Sequence, residues 1–328
     1  MTPAPSAADA RKPAFLTGEA GTYLGLIAVL VLMVLLFSSM SQYFFSMDTL
    51  VTIANDIPAV AVMAVGMTFV LIIAGIDLSV GSVMALAAAV AAHAMLNLNA
   101  SAPVASLMAL AAGLVCGLIT GSVSVIWRLP TFIVSLGMLE AVRGLAYVVT
   151  DSRTQYVGDG IAWLSAPFVG AVSVSFFAAI ALTVVAQWVL TRSVFGRHVV
   201  GIGTNEEAMR LAGIDPRPIR LTVFALMGLL AAVAGLMQAA RLEAADPNAG
   251  SGIELQVIAS VVIGGTSLMG GRGSVLATFL GVLITAVLEA GLAQLGVSDP
   301  SKRIITGLVI VAAVIIDTLR QRRADARH

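Results

Sequence analysis

The sequence predicts an all-α protein, a polytopic membrane helical bundle of about ten transmembrane helices. Three observations carry that reading. Apolar residues make up 59% of the 328-residue chain, charged residues only 11%, and the mean hydropathy is +1.00. A soluble protein carries about 25% charged residues, and one globular core cannot hide so large an apolar excess under so thin a polar skin. The apolar residues also gather into runs close to the roughly 20 residues that cross a bilayer core of about 30 Å. Finally, the basic residues are distributed unevenly between the two sides of those runs. The same numbers exclude disorder. The balance of 18 basic against 18 acidic residues leaves no electrostatic footprint for nucleic acid.

The predicted spans lie near residues 22–40, 51–74, 81–98, 103–126, 131–150, 168–190, 219–240, 254–270, 274–294 and 303–319. A polar arm, residues 1–20, precedes the first and carries Arg11 and Lys12. The stretch from Phe37 to Phe45 offers no small-residue cleavage site, so the first run reads as a span that stays in place. The third span is alanine-rich from Ala85 to Ala92, and the fourth spaces Gly113, Gly117 and Gly121 four residues apart. Small residues let helix backbones approach closely where lipid removes the hydrophobic drive to associate. Within the fifth span, Glu140 and Arg143 share a helix face at i, i+3, which predicts a mutual ion pair. Glu289 stands in the ninth with no evident sequence partner, and a charge inside a span is a functional candidate by default. Residues 21–319 thus form the membrane domain, with a polar loop at 191–220 and a basic tail at 320–328.

With both termini placed in the cytoplasm, 13 basic residues fall inside, 4 outside and 1 within a span. Cytoplasmic loops carry the excess of Lys and Arg, so ten spans with both ends inside satisfy the pattern. Five of the inside arginines lie in the 191–220 loop. There Thr204, Asn205, Glu206 and Glu207 have the form of a capping box, with Thr204 as N-cap. Ala208, Met209, Leu211 and Ala212 supply apolar surface beside Arg210, and Gly213 with Pro216 and Pro218 stops the helix. The expectation is a two-turn helix on the cytoplasmic face, either a connector or a knob for a cytoplasmic partner.

Two glycine-rich joints link neighbouring spans. The first contains Gly75, Asp77, Ser79, Gly81 and Ser82, and Asp77 or Ser79 is placed to cap the third span. The second contains Gly264, Gly265, Thr266 and Ser267 and runs on to Gly273-Ser274. Irregular backbone at membrane depth is tolerated where it is buried in protein or lines a cavity. A phosphate-binding loop needs G-x-x-x-x-G-K-[ST], and the second joint has no Lys, so no nucleotide site is read here. Each joint ends Gly-Ser before an alanine-containing helix, which hints at an internal repeat. On the outer side, Arg241, Glu243, Asp246, Asn248 and Glu254 make the most polar loop, a candidate docking surface. Cys116 alone excludes a disulfide framework or a thiolate metal site, and the three histidines, His93, His198 and His328, are scattered.

Four runs in order resemble the permease subunit of bacterial ATP-binding-cassette importers for ribose and related sugars. They are GMTFVLIIAGIDLSVGS at 66–82, PTFIVSLGMLEAVRGLA at 130–146, GRHVVGIGTNEEAMRLAGI at 196–214, and the stretch 231–273 containing RLEAADPNAGSGIELQVIASVVIGGTSLMGG. The resemblance implies a bundle of the type II ABC importer kind in the bacterial inner membrane. It further implies a second permease copy, identical or paralogous, a cytoplasmic ABC ATPase that binds ATP and Mg, and a periplasmic sugar-binding protein. No cofactor is implied in this chain itself. The helix from Asn205 to Gly213 matches the family's ATPase-coupling loop, and the two joints with Glu140, Arg143 and Glu289 become gating or translocation candidates. Where the family often carries a neutral polar residue near the end of the ninth span, this chain has Glu289 in Leu288-Glu289-Ala290-Gly291-Leu292. A proton- or sodium-driven transporter is the alternative, but its usual relay of titratable groups would here reduce to Glu140 and Glu289. Enzyme signatures such as H-E-x-x-H and G-x-S-x-G are absent.

Overall fold

The computed structural model describes residues 19–298, 300–309 and 311–312. The bundle opens with α1 (Glu19–Met40), then α2 (Met47–Asp56) and α3 (Pro58–Ile72). These two are bent by 46° at Ile57, where Pro58 takes the first position of α3 and cannot continue the ladder of α2. Three long helices follow: α4 (Val80–Asn97), α5 (Ala102–Trp127) and α6 (Thr131–Val149). A small extended region comes next, with β1 (Gln155–Tyr156), a 3-10 turn at Gly158–Leu164, β2 (Pro167–Val169) and β3 (Val172–Ser173). The chain then forms α7 (Val174–Arg192), α8 (Val194–Thr204), α9 (Glu206–Leu211) and α10 (Pro216–Leu242). It ends with β4 (Ala244–Ala245), α11 (Ile253–Ile263), α12 (Val275–Gln294) and helical residues 300–309. β1 pairs antiparallel with β4, Gln155 opposite Ala245, and β2 pairs with β3 in a hairpin.

Among the described residues, seven helices are long and apolar enough to cross a membrane, and eight crossings result if the bent α2–α3 pair counts as one. The described residues do not reach the expected count of about ten, for two reasons. The run at 254–270 yields only the 11-residue α11, because the Gly264–Gly265 pair ends it, with Gly265 at φ +87°. The segment before it, residues 243–252, is non-helical apart from β4 and descends from the end of α10 to the start of α11. The tenth run, 303–319, lies largely outside the described residues, as do the basic arm at 1–18 and the tail at 320–328. The sixth span also begins later than expected, at Val174, because residues 167–173 turn back as the β2–β3 hairpin.

Helix direction sorts the joints onto two faces. The ends of α3, α5 and α7, the starts of α6, α10 and α12, and the whole of α8 and α9 share one face, here the α9 face. The strands, the end of α10 and the end of α12 lie at the opposite, strand face. The core is built from α3, α4, α10, α11 and α12, with Met63, Met67, Met84, Phe224 and Met227 essentially inaccessible. In contrast, α1 and α6 present apolar side chains outward, among them Leu32, Leu35, Phe132, Ile133 and Val148. The predicted glycine seam is a real contact: Gly113 and Gly117 on α5 lie directly on Gly228 of α10.

Candidate functional site

The short helix on the α9 face forms where the sequence places it, but with a different cap. Asn205 is the N-cap, extended at φ −159°, and its Oδ1 accepts a hydrogen bond from Ala208 N at 2.9 Å. Thr204 belongs to the end of α8, where its hydroxyl donates to Val200 O at 2.8 Å. The preceding helix claims Thr204, so the next residue with a short oxygen-bearing side chain takes the role. Glu206 holds α9 from both sides, with Oε1 to Arg210 and Oε2 to Arg220, each at 2.6 Å. Met209 tucks against α8 at Gly201, whereas Glu207, Ala208, Ala212 and Gly213 are exposed and Leu211 is 82% exposed. Gly213, at φ +82°, closes the helix, with Ile214 N reaching back to Met209 O at 3.0 Å.

The two glycine-rich joints meet beside this helix. Gly271 N donates to Ile72 O at 2.8 Å, and Gly203 of α8 lies directly on the same carbonyl. In the first joint, Asp77 is buried and its Oδ1 accepts from Ser79 N at 2.9 Å and Ser79 Oγ at 2.6 Å. These bonds stay inside the turn, so neither residue caps α4 as expected; Ser79 is already helical in backbone and makes no side-chain cap. Burial pushes the Asp77 carboxyl above its ordinary range, and the two bonds from Ser79 pull it back. Gly75 N is bonded to Val70 O, and Gly81 abuts the Gly250 backbone. In the second joint Gly264 N bonds Ser260 O, and Ser267 N bonds Arg272 O. The hydroxyls of Ser82 and Thr266 are buried with no hydrogen-bond partner among the described residues.

Arg143 does not pair with Glu140. Its guanidinium instead donates to Pro247 O at 2.5 Å and Ala249 O at 2.8 Å. Turn bonds within and just after the segment 246–252 take the carbonyls of Asp246, Asn248, Gly250 and Gly252, and the guanidinium, with five donors, supplies those of Pro247 and Ala249. Tyr147 OH adds a bond to Asn248 Oδ1 at 2.6 Å, and Asp246 Oδ1 accepts from Asn248 N at 2.9 Å. Asp246 and Asn248 sit on this descending segment, with Asn248 exposed and Asp246 half-buried, and Glu254 is in the first turn of α11. Arg241 and Glu243 stay at the strand face, where Arg241 pairs with Asp56 at 2.5 Å in the wall of a cavity of about 290 Å³. Glu140 is exposed near the middle of α6.

Glu289 does have a partner: its Oε1 accepts from Gln256 Nε2 at 2.9 Å. Both border a cavity of about 1010 Å³ lined by α2, α3, α11, α12 and the helical residues after 300. Sequence reasoning missed Asp48, Asp56, Gln256, Thr285 and Gln294 in this wall. One signal was legible: Ser274, Thr278, Thr285 and Glu289 follow helical spacing along α12, a polar stripe in an apolar span.

A bundle of apolar helices, with a clamped short helix on one face and toward the other a cavity that sets a few polar side chains in a largely apolar wall, fits a membrane transport subunit. Residues 49–314 match the family described as branched-chain amino acid transport system / permease component. The chain is 39% identical to the ribose import permease protein RbsC of Escherichia coli (strain K12) over 301 residues, 90% of this chain and 93% of that protein. It is 34% identical to RbsC of Bacillus subtilis (strain 168), covering 90% and 92%, and 31% identical to the autoinducer 2 import system permease protein LsrC of Photorhabdus luminescens, covering 89% and 88%. No solved structure matches the chain. The chain belongs to this permease family, and its resemblance to the permeases of ABC sugar importers stands.

Proposed function

We propose that the chain is the membrane subunit of an ATP-binding-cassette importer that admits a monosaccharide or related small polar solute across the bacterial inner membrane. The solute is delivered by a periplasmic binding protein. ATP and Mg belong to a separate cytoplasmic ATPase, and both termini of this chain are cytoplasmic. The orientation rests on basic residues: Arg128, Arg192, Arg197, Arg210, Arg217, Arg220 and Arg272 are on the α9 face, against Arg153, Arg241, Lys302 and Arg303 on the strand face.

The observation that carries the reading is the setting of α9. A six-residue helix is not stable alone, yet here Asn205, Glu206, Arg220 and Gly213 hold it with Leu211 bare. That is the form of a knob for a groove on a partner. Through Gly203 it rests on the Ile72 carbonyl that also joins the two glycine-rich joints. ATP-driven closure of the ATPases would thereby bias the bundle between outward- and inward-facing states, and a ligand shifts such an equilibrium only through its differential affinity for them. A second permease copy follows from Glu140, since a carboxylate bared to lipid near the middle of a span is costly and a neighbouring chain over α6 removes that cost. Arg241 and Glu243, at the strand face, with Asp246, Asn248 and Glu254 on the stretch that follows, are the docking candidates for the binding protein.

Proteoliposomes holding the permease, its ATPase and its binding protein test the reading. Uptake of labelled sugar should require internal ATP and ignore a protonophore. Gly213→Arg forces a bulky side chain into the left-handed region that glycine adopts freely. That variant, or deletion of 206–212, should insert normally and lose at least tenfold in uptake. Full uptake by the deletion variant with its ATPase still bound would sink the coupling role.

A further inference from the structure

The larger cavity has a wall chemistry that the importer reading leaves unused. It extends along α12 from Gln294 to Val282, about 18 Å at the helical rise. Three polar couples step down it. At the mouth, Gln294 Nε2 donates to Thr49 Oγ1 at 2.6 Å; halfway, Gln256 Nε2 donates to Glu289 Oε1 at 2.9 Å; deepest, the hydroxyls of Ser260 and Thr285 share a bond at 3.0 Å. The deepest couple is buried and mutually satisfied, so it serves as glue between helices. The middle couple differs, because both side chains are only half-buried and both border the open volume. A carboxylate has about four lone-pair sites, and Gln256 fills one.

The charge of the wall narrows the class of occupant. Asp48, Asp56 and Glu289 face Lys302 and Arg303, and Asp56 already pairs with Arg241. The remaining acids and bases balance, so the cavity favours neither a cation nor an anion. Its polar groups are those that exchange hydrogen bonds with hydroxyls. We propose that Glu289 and Gln256 form a solute-contacting subsite within the permease for a neutral polyhydroxylated molecule. The carboxylate accepts the protons of its hydroxyl groups, and the amide pairs a further hydroxyl. The inference rests on the importer reading and adds to it a place in this chain where the solute is held in transit. Hydrogen bonds to a charged acceptor are about twice as strong as neutral ones, so loss of the carboxylate should weaken binding about tenfold.

The test is saturation-transfer NMR on the full chain with its ATPase in lipid nanodiscs, using D-ribose, D-xylose and D-galactose as neutral probes and D-glucosamine as a cationic one. At least one neutral sugar should give a signal in the wild type. That signal should fall fivefold or more in Glu289→Gln and Gln256→Leu, and persist in Leu32→Ala on the outward side of α1. Glu289→Gln keeps the side-chain shape, and Gln256→Leu approaches the subsite from the other helix should the first variant misfold. An undiminished sugar signal in both variants overturns the subsite, as does a wild-type signal confined to glucosamine. So does silence toward all the neutral sugars in preparations that import one of them with ATP, a result that leaves the importer reading intact. A Glu289-dependent sugar signal without ATP-driven uptake supports the subsite and instead removes the importer reading.

Discussion

Arg143 shows how a single side chain can hold irregular backbone inside a bundle. Its two carbonyl acceptors, on Pro247 and Ala249, lie in the descending segment that replaces half of a helix. Leaving a buried acceptor unsatisfied costs about 1–3 kcal/mol. Arg143→Met strands two acceptors but also removes a half-buried cation, so a net loss of about 2 kcal/mol is expected. It should appear as a lower thermal unfolding midpoint in detergent, with faster hydrogen exchange confined to residues 246–252. Arg143→Lys should recover only part, since a point charge cannot reproduce the guanidinium fork. An unchanged midpoint in Arg143→Met would mean that water satisfies those carbonyls. The sequence made Arg143 conspicuous as a charge in a span, but spacing alone exposes only local partners, hence the mistaken Glu140. The same limit hid Gln256 from Glu289, 33 positions away. At the Thr204-Asn205 pair the difficulty was competition: both residues can cap, and only the reach of α8 decides between them.

At the scale of elements, the start of α12 is capped twice. Ser274 Oγ accepts from Ala277 N, while Gln187, reaching across from α7, accepts at Oε1 from Val275 N at 2.8 Å and Leu276 N at 3.2 Å. The first N–H groups of a helix have no partner within it, and in an apolar setting water is a poor substitute. Gln187→Leu should therefore cost about 1–2 kcal/mol and loosen the first turn of α12, read as faster exchange at 275–278 than in the rest of that helix. Equal protection in variant and wild type would leave Ser274 as the sufficient cap. No pattern within α12 announces this cap, because the accepting Gln187 lies 87–89 residues upstream. The helices themselves were legible, since long apolar runs have few other solutions. Residues 254–270 misled for the same reason: hydropathy averages over a window and does not register that Gly264–Gly265 halts the helix after 11 residues. The β2–β3 hairpin was absorbed into the sixth run in the same way, its Pro167, Phe168 and Val169 being as apolar as a span.

Across the whole molecule, the two glycine-rich joints that the sequence paired by resemblance alone are in contact, and α8 touches both. Gly203 lies on the Ile72 carbonyl at the end of α3 and beside Gly271 of the second joint. A push on α9 therefore has a short physical route into α3 and α4 through one joint, and into α11 and α12 through the other. Such a route amounts to coupling only if both sites bias the same two-state element, and one substitution separates contact from coupling. Gly203→Val places a branched side chain where the Ile72 carbonyl now stands, wedging α8 off both joints without altering a residue of α9. Overpacking of this kind costs about 1–3 kcal/mol, which a bundle of this size should survive. The variant should insert, bind its ATPase through the intact α9, and hydrolyse ATP at a rate no longer raised by sugar-loaded binding protein, with uptake reduced at least tenfold. Gly203→Ala, a smaller wedge, should fall between wild type and valine on both measures. Normal stimulation and uptake in Gly203→Val would show that motion of α9 reaches the spans through α10, to which Arg220 fastens it directly.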